Sequence, residues 1–294
     1  MGRARKQFAM PTGFHKGILY LHVTVYPRKL MPSFSWLQTT STLMIGVVLF
    51  FLLIAFYFLG YRLRLRKISR SNQPIGEDLG AISGTLLGLL ALMLAFTFGM
   101  SNSRYDSRRA LVVEEANDIG TVILRTDIFP DSIRKELRAQ LKEYVKARVE
   151  YYETGMNLEK AYAAYLRGNE ISGRVWSIAT AYAQVDPALT KASEIIPALN
   201  AMIDIVTTRR AVGEATIPDS ILYFLFTLCL TSSFLLGYDR KNRLDLVVVV
   251  GFALMLSATV VTIIDLDKPR SGLITMDKAN QNIVDLLEMF NSPE

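Results

Sequence analysis

Residues 86–120 read LLGLLALMLAFTFGMSNSRYDSRRALVVEEANDIG. Up to Met100 there is no charge; beyond it come Arg104, Asp106, Arg108, Arg109, Glu114, Glu115 and Asp118, with no proline between the two parts. An apolar run that continues without a breaker into a charged one reads as a helix that begins in lipid and ends in water. Wound at 100° per residue, one stripe holds Gly80, Gly84, Gly88, Ala91, Ala95 and Gly99, then Asn102, Asp106, Arg109, Val113, Asn117 and Gly120. Its mean step of about 3.6 residues is the α-helical period, and the register survives the water boundary. The stripe predicts one rod roughly 60 Å long, about twice the hydrocarbon thickness.

Three more runs, 43–61, 221–238 and 246–264, are also free of charge, and with 79–101 each is long enough to cross about 30 Å of hydrocarbon. The chain is predicted to be an all-α integral membrane protein with four transmembrane helices, the second and third extending into a soluble helical bundle. Within its 294 residues, the expected divisions are a basic tail (1–37), a first membrane hairpin (38–101), the bundle (102–216), a second hairpin (217–265) and a C-terminal segment (266–294). In the tail, ILYLHVTVY is too short to span and no small-residue cleavage site follows, so it does not read as a secretory signal; Met31 stands as an alternative start.

The bundle is read from three segments. FPDSIRKELRAQLKEYVKARVEYYE opens a helix at Pro130 and Asp131, with apolar residues at Ile133, Leu137, Leu141, Val145 and Val149. GMN at 155–157 breaks it, and Asn157 caps the next. The segment 186–220 is expected to run helically into the third span. No strand or hairpin pattern is present.

Several function classes drop out. The single cysteine, Cys229, lies inside a span, and the two histidines, His15 and His22, lie in the tail. Histidine acid–base chemistry and a metal centre are therefore not expected in the body of the protein. There is no phosphate-binding loop, dinucleotide fingerprint, nucleophile elbow or zinc spacing, so an enzyme is not expected, and neither is a cofactor. The net charge of +6 is read as flanking charge on membrane helices, not as a nucleic-acid surface. Five basic residues between Arg62 and Arg70 and three in DRKNRLD fall on one side, which the basic-residue bias makes cytoplasmic. The bundle is then extracytoplasmic.

The second span has three faces. The small-residue stripe Gly80, Gly84, Gly88, Ala91, Ala95 and Gly99 is expected to pack against another helix. Ile82, Leu89, Met93, Phe96 and Met100 form a bulky apolar face. The third face carries Ser83, Leu90, Thr97 and Ser101, then Arg104, Arg108 and Glu115. Read as a pore wall, it has hydroxyl-bearing pore candidates below a basic mouth at Arg104 and Arg108. Read as packing, its hydroxyls bond back to helix carbonyls while the arginines snorkel or pair with Glu115. At the end of the fourth span, Asp265 and Asp267 are candidates to pair with Arg104 or Arg108 and fix how the second and fourth helices meet.

LLALMLAFTF followed by RYDSRRALVVEEANDIGT, LNAMIDIVTTRR leading into IPDSILYFLF, and DLDKPRSGLI after the last span together resemble the bacterial family of integral membrane proteins described as bestrophin-like. The resemblance implies a four-span all-α protein of the bacterial plasma membrane. It further implies kinship with bestrophins, pentameric anion channels whose second helix lines a long pore. By that kinship the chain is expected to be a homo-oligomeric ion channel, pentameric and anion-conducting, whose partners are itself, membrane lipid and permeant inorganic ions. The alternative is a non-conducting, membrane-anchored helical scaffold or sensor.

Overall fold

The computed structural model describes residues 36–70, 80–185, 189–239, 245–268 and 272–291, apart from the side chains of Arg70 and 183–192. The tail through residue 35, the NQPIGED loop, most of DRKNRLD and Pro269 lie outside these residues. A short helix α1 (Trp36–Thr39) precedes α2 (Thr42–Arg70), α3 (Gly80–Arg125), α4 (Asp131–Glu153), α5 (Leu158–Val185), α6 (Leu189–Glu214), α7 (Asp219–Asp239), α8 (Leu246–Asp267) and α9 (Asp277–Asp285). Among the described residues there is no strand. The spans are α2, α3, α7 and α8.

The quoted stretch forms one helix: α3 runs for 46 residues, roughly 70 Å. The third span differs from expectation. Its extension is interrupted at 215–218, between α6 and α7. Pro218 disfavours helical geometry at Ile217 and brings no N–H of its own. The Ile217 N–H turns instead to the Asp267 carboxylate, at 2.9 Å from Oδ2. Elsewhere local chemistry sets the ends as read. Pro130 occupies the N-cap of α4, Gly155 turns the chain with φ +52°, and Asn157 Oδ1 accepts from the Lys160 N–H at 3.1 Å.

The spans form one layer, centred on Leu49, Leu53, Leu90, Leu225, Leu256 and Val260. Its tightest crossing is between α2 and α7. A Cβ at Gly60 would collide with the Phe234 carbonyl oxygen, and one at Gly237 with the Tyr57 carbonyl, 2.8 Å from its carbon. With backbones this close, Ser233 Oγ donates to the Leu53 carbonyl and Arg64 Nη1 to the Tyr238 carbonyl, each at 2.7 Å. Small residues therefore allow close packing, as is usual between membrane helices, but on the first and third spans.

The upper half of α3 packs with α4, α5, α6 and α9 around a second core that includes Ile119, Leu141, Tyr144, Ile171, Leu199 and Ile283. The α4 stripe behaves as its spacing predicts. Leu137, Leu141 and Val145 are buried, with Ile133 and Val149 against the edge of the core. After α8 the chain returns along α3, and α9 lies against α3 and α4.

Candidate functional site

Within one chain, α3 turns its faces opposite to the pattern expected for a hydroxyl-lined pore. Ser83, Leu90, Thr97, Ser101, Arg108 and Glu115 are among its buried residues, covered by the chain's own helices. Thr97 Oγ1 donates back to the Met93 carbonyl, and Ser101 Oγ donates to the Ile263 carbonyl of α8 at 2.9 Å. At Thr97 and Ser101 this face is thus a packing seam, its hydroxyls satisfied on helix carbonyls, whereas the buried Ser83 hydroxyl finds no acceptor among the described residues. The small-residue stripe takes the opposite position. Gly80, Gly84, Gly88, Ala91, Ala95 and Gly99 are exposed in the chain, and nothing would meet a Cβ at Gly84, Gly88 or Gly99 within 4 Å. The stripe continues upward through exposed Asn102, Asp106, Arg109, Val113 and Asn117. Ala95 and Gly99 line an open depression of about 500 Å³ with Phe96, Met100, Ser103 and Arg104. Of the bulky face, Ile82, Leu89, Phe96 and Met100 are exposed, as lipid contact requires. In all, 17% of the α3 span is covered by the chain, against 33%, 39% and 39% for the other three.

Where α3 leaves the membrane, the end of α8 gathers four segments. Arg108 is buried, and its Nη2 donates to the Leu266 carbonyl at 2.5 Å, one of the helix-end acceptors that lack an intrahelical partner. Asp267, also buried, stands close enough to act electrostatically on Arg108, yet its hydrogen bond goes to the Ile217 N–H. Lys268 Nζ donates to the Thr40 carbonyl ahead of α2. Asp265 bonds to neither Arg104 nor Arg108. Its Oδ2 accepts the N–H groups of Leu273 and Ile274 at 2.8 and 2.7 Å. The expected pairing of Asp265 or Asp267 with Arg104 or Arg108 is replaced by a contact of Arg108 with a carbonyl, because Asp267 is taken by the Ile217 N–H and Asp265 by the returning chain. Gly272, at φ +142°, has no room for a side chain: a Cβ would lie 2.8 Å from the Asp265 carboxylate carbon. Arg104 is half-buried beside this cluster.

Glu115 finds other partners than Arg108. Fully buried, its Oε1 accepts from Arg148 Nε at 2.5 Å, and its Oε2 accepts from Arg209 Nη1 and from the Tyr152 hydroxyl, the latter at 2.9 Å. Arg148 Nη2 donates to the same hydroxyl, and the Arg209 guanidinium lies 4.1 Å from the Tyr152 ring centre. Burial pushes the Tyr144 and Tyr152 phenols well above the ordinary phenol range, so both stay neutral beside the arginines. One acid on α3 thereby fastens α4 and α6. Arg148, Tyr152 and Arg209 were not singled out from sequence, although a signal exists. Arg148 sits three residues beyond Val145 and seven beyond Leu141, on the buried side of its own helix.

Among the described residues no cluster of acids, histidines or cysteines could hold a metal. The site is a set of helix-fixing contacts bordering an open small-residue face on a long membrane helix, within an all-helical, four-span membrane protein.

The bestrophin-like domain family matches residues 45–280. The chain therefore belongs to the bestrophin-like domain family. Among solved structures, a tryptophan-to-alanine variant of a bacterial bestrophin homologue from Klebsiella pneumoniae has the same fold, with a TM-score of 0.66. It is 14% identical and aligns over 86% of this chain and 99% of its own. No curated protein matches the chain.

Proposed function

We propose that this protein is a homo-oligomeric ion channel of the plasma membrane in which α3 lines the pore through its small-residue face. The observation that carries the reading is the inversion of faces on α3. A lumen must be formed by surface the single chain leaves open, and the hydroxyl-bearing face is closed by α8. The open stripe is lined by small residues through the membrane and by polar ones above it, as a water-filled path permits and lipid does not favour. Family membership and the bestrophin homologue's fold support a ring, pentameric in bestrophins, with this helix at its axis.

Anion preference is assigned to Arg104, at the top of the small-residue stretch, and to exposed Arg109, which together outnumber the exposed Asp106 nearby. Arg108 is excluded from the mouth because it is buried against the Leu266 carbonyl.

In planar bilayers, Ala95→Cys in a Cys229→Ala background is expected to lose current to a negatively charged thiol reagent, whereas Thr97→Cys is not. Arg104→Glu is expected to shift the reversal potential toward cations in a salt gradient. Block at position 97 but not 95 would put the wrong face on the lumen. A monomeric mass in mild detergent would remove the channel reading and leave a membrane-anchored scaffold.

The basic residues Arg62, Arg64, Arg66 and Lys67 near the end of α2 support a cytoplasmic side there and an extracytoplasmic bundle. Ser132→Cys, exposed at the start of α4, is then labelled by an impermeant maleimide in intact cells. Labelling that requires membrane permeabilisation reverses the orientation.

A further inference from the structure

The turn after α8 carries an exposed apolar pair that neither the packing nor the channel reading uses. Leu273 is 74% exposed and Ile274 37% exposed. Their height relative to the bilayer follows from contacts elsewhere. The apolar runs end at Ser101 on α3 and Ile264 on α8, and the hydrogen bond from Ser101 Oγ to the Ile263 carbonyl puts both ends at one level. A second mark agrees. Trp36, before α2, donates Nε1 to the Tyr223 hydroxyl near the start of α7 at 2.9 Å, and both rings are exposed. Exposed Trp and Tyr at helix ends are the usual sign of the membrane–water interface.

Asp265 lies two residues past Ile263, about 3 Å further along the helix. Its carboxylate binds the N–H groups of Leu273 and Ile274 directly, so these two residues are held within hydrogen-bond reach of a group at the hydrocarbon edge. The grip is specific, because the carboxylate occupies the space a side chain at Gly272 would need. It also consumes the two backbone donors, leaving a turn that can meet lipid without presenting unpaired N–H groups at Leu273 or Ile274.

We propose that the turn 272–274 is an interfacial lipid anchor. Leu273, with Ile274 beside it, enters the edge of the acyl-chain layer on the bundle side and ties the returning strap, including α9, to the bilayer. Lipid is the occupant because Asp265 fixes the pair at the level marked by Ser101, Trp36 and Tyr223. The charge-free tip of this anchor needs no anionic headgroup. The inference stands apart from conduction, since a non-conducting protein would carry the same anchor.

The test is a nitroxide at Leu273→Cys in a Cys229→Ala background, in phosphatidylcholine vesicles. Collision with oxygen, which concentrates in lipid, is compared with collision with a water-soluble nickel chelate. At position 273 oxygen is expected to dominate several-fold, whereas at Ser132→Cys, at the start of α4, nickel dominates. Nickel dominance at 273 would place the turn in water and overturn the anchor. Low collision with both reagents would mean that protein covers the turn, which overturns it equally; loss of dipolar broadening on mixing with unlabelled chain would identify that cover as a second copy. Elution of the labelled protein at the unlabelled position in detergent checks that the fold is intact.

Discussion

Replacing Glu115 by alanine is expected to unfold the helical bundle above the membrane near room temperature. Glu115 is the carboxylate that holds Arg148 and Arg209, whose side chains are 3% and 9% exposed. Removing it leaves two buried guanidinium groups without their counter-charge and takes from the Tyr152 hydroxyl its acceptor. Breaking a buried pair from one side costs about 3–5 kcal/mol, and here two pairs share one acid. Domains of ordinary stability have roughly 5–15 kcal/mol in total, so most of the margin is lost. Trp176, packed against the bundle core, reports this unfolding by its fluorescence once Trp36→Phe removes the other tryptophan. The companion variant separates charge from shape. Glu115→Leu combined with Arg148→Met, Arg209→Met and Tyr152→Phe replaces the whole network by apolar groups, and its midpoint is expected to return close to that of the parent. A single Glu115→Ala with an unshifted midpoint would show that the acid does not fasten α4 and α6 to α3.

The second large effect is expected at the α2–α7 crossing. Gly237→Ala drives a Cβ into the Tyr57 peptide, with the carbonyl carbon at 2.8 Å and Cα at 3.1 Å, and Gly60→Ala meets the Phe234 carbonyl in the same way. These obstacles are backbone atoms on two long helices, which cannot step aside as a side-chain end can. Overpacking costs about 1–3 kcal/mol where a core can adjust. Here the helices must separate, weakening the Ser233–Leu53 and Arg64–Tyr238 hydrogen bonds together. Either variant is expected to lower the thermal midpoint in detergent by several degrees, whereas Gly84→Ala, with open space around it, leaves it unchanged. Equal midpoints for all three would mean that α2 and α7 do not approach as closely as described.

The two predictions meet on the same distinction. Period and composition were enough to identify the spans, the continuity of α3 through SNSRYDSRR, and the start of α4 at Pro130. These follow from local rules: an uncharged run must cover about 30 Å of hydrocarbon, an unbroken 3.6-residue register must be one helix, and Pro and Gly act on their own neighbours. The faces of α3 were also legible as faces: of the group Ser83, Leu90, Thr97, Ser101, Arg104, Arg108 and Glu115, all but the half-buried Arg104 lie on the side the chain covers. What each face touches was not. Helical periodicity gives the angle between stripes but not the direction of the neighbour, and a row of small residues suits close packing and an open lumen equally well. Only tertiary structure decided that α8 covers the hydroxyl-bearing side and leaves the glycine stripe open. It also decided that the close glycine crossing belongs to α2 and α7, that the Ile217 N–H goes to Asp267, and that Glu115 meets Arg148 and Arg209 from helices 33 and 94 residues away. Those pairings depend on how separate helices are brought together, and nothing local to any one of them sets the choice.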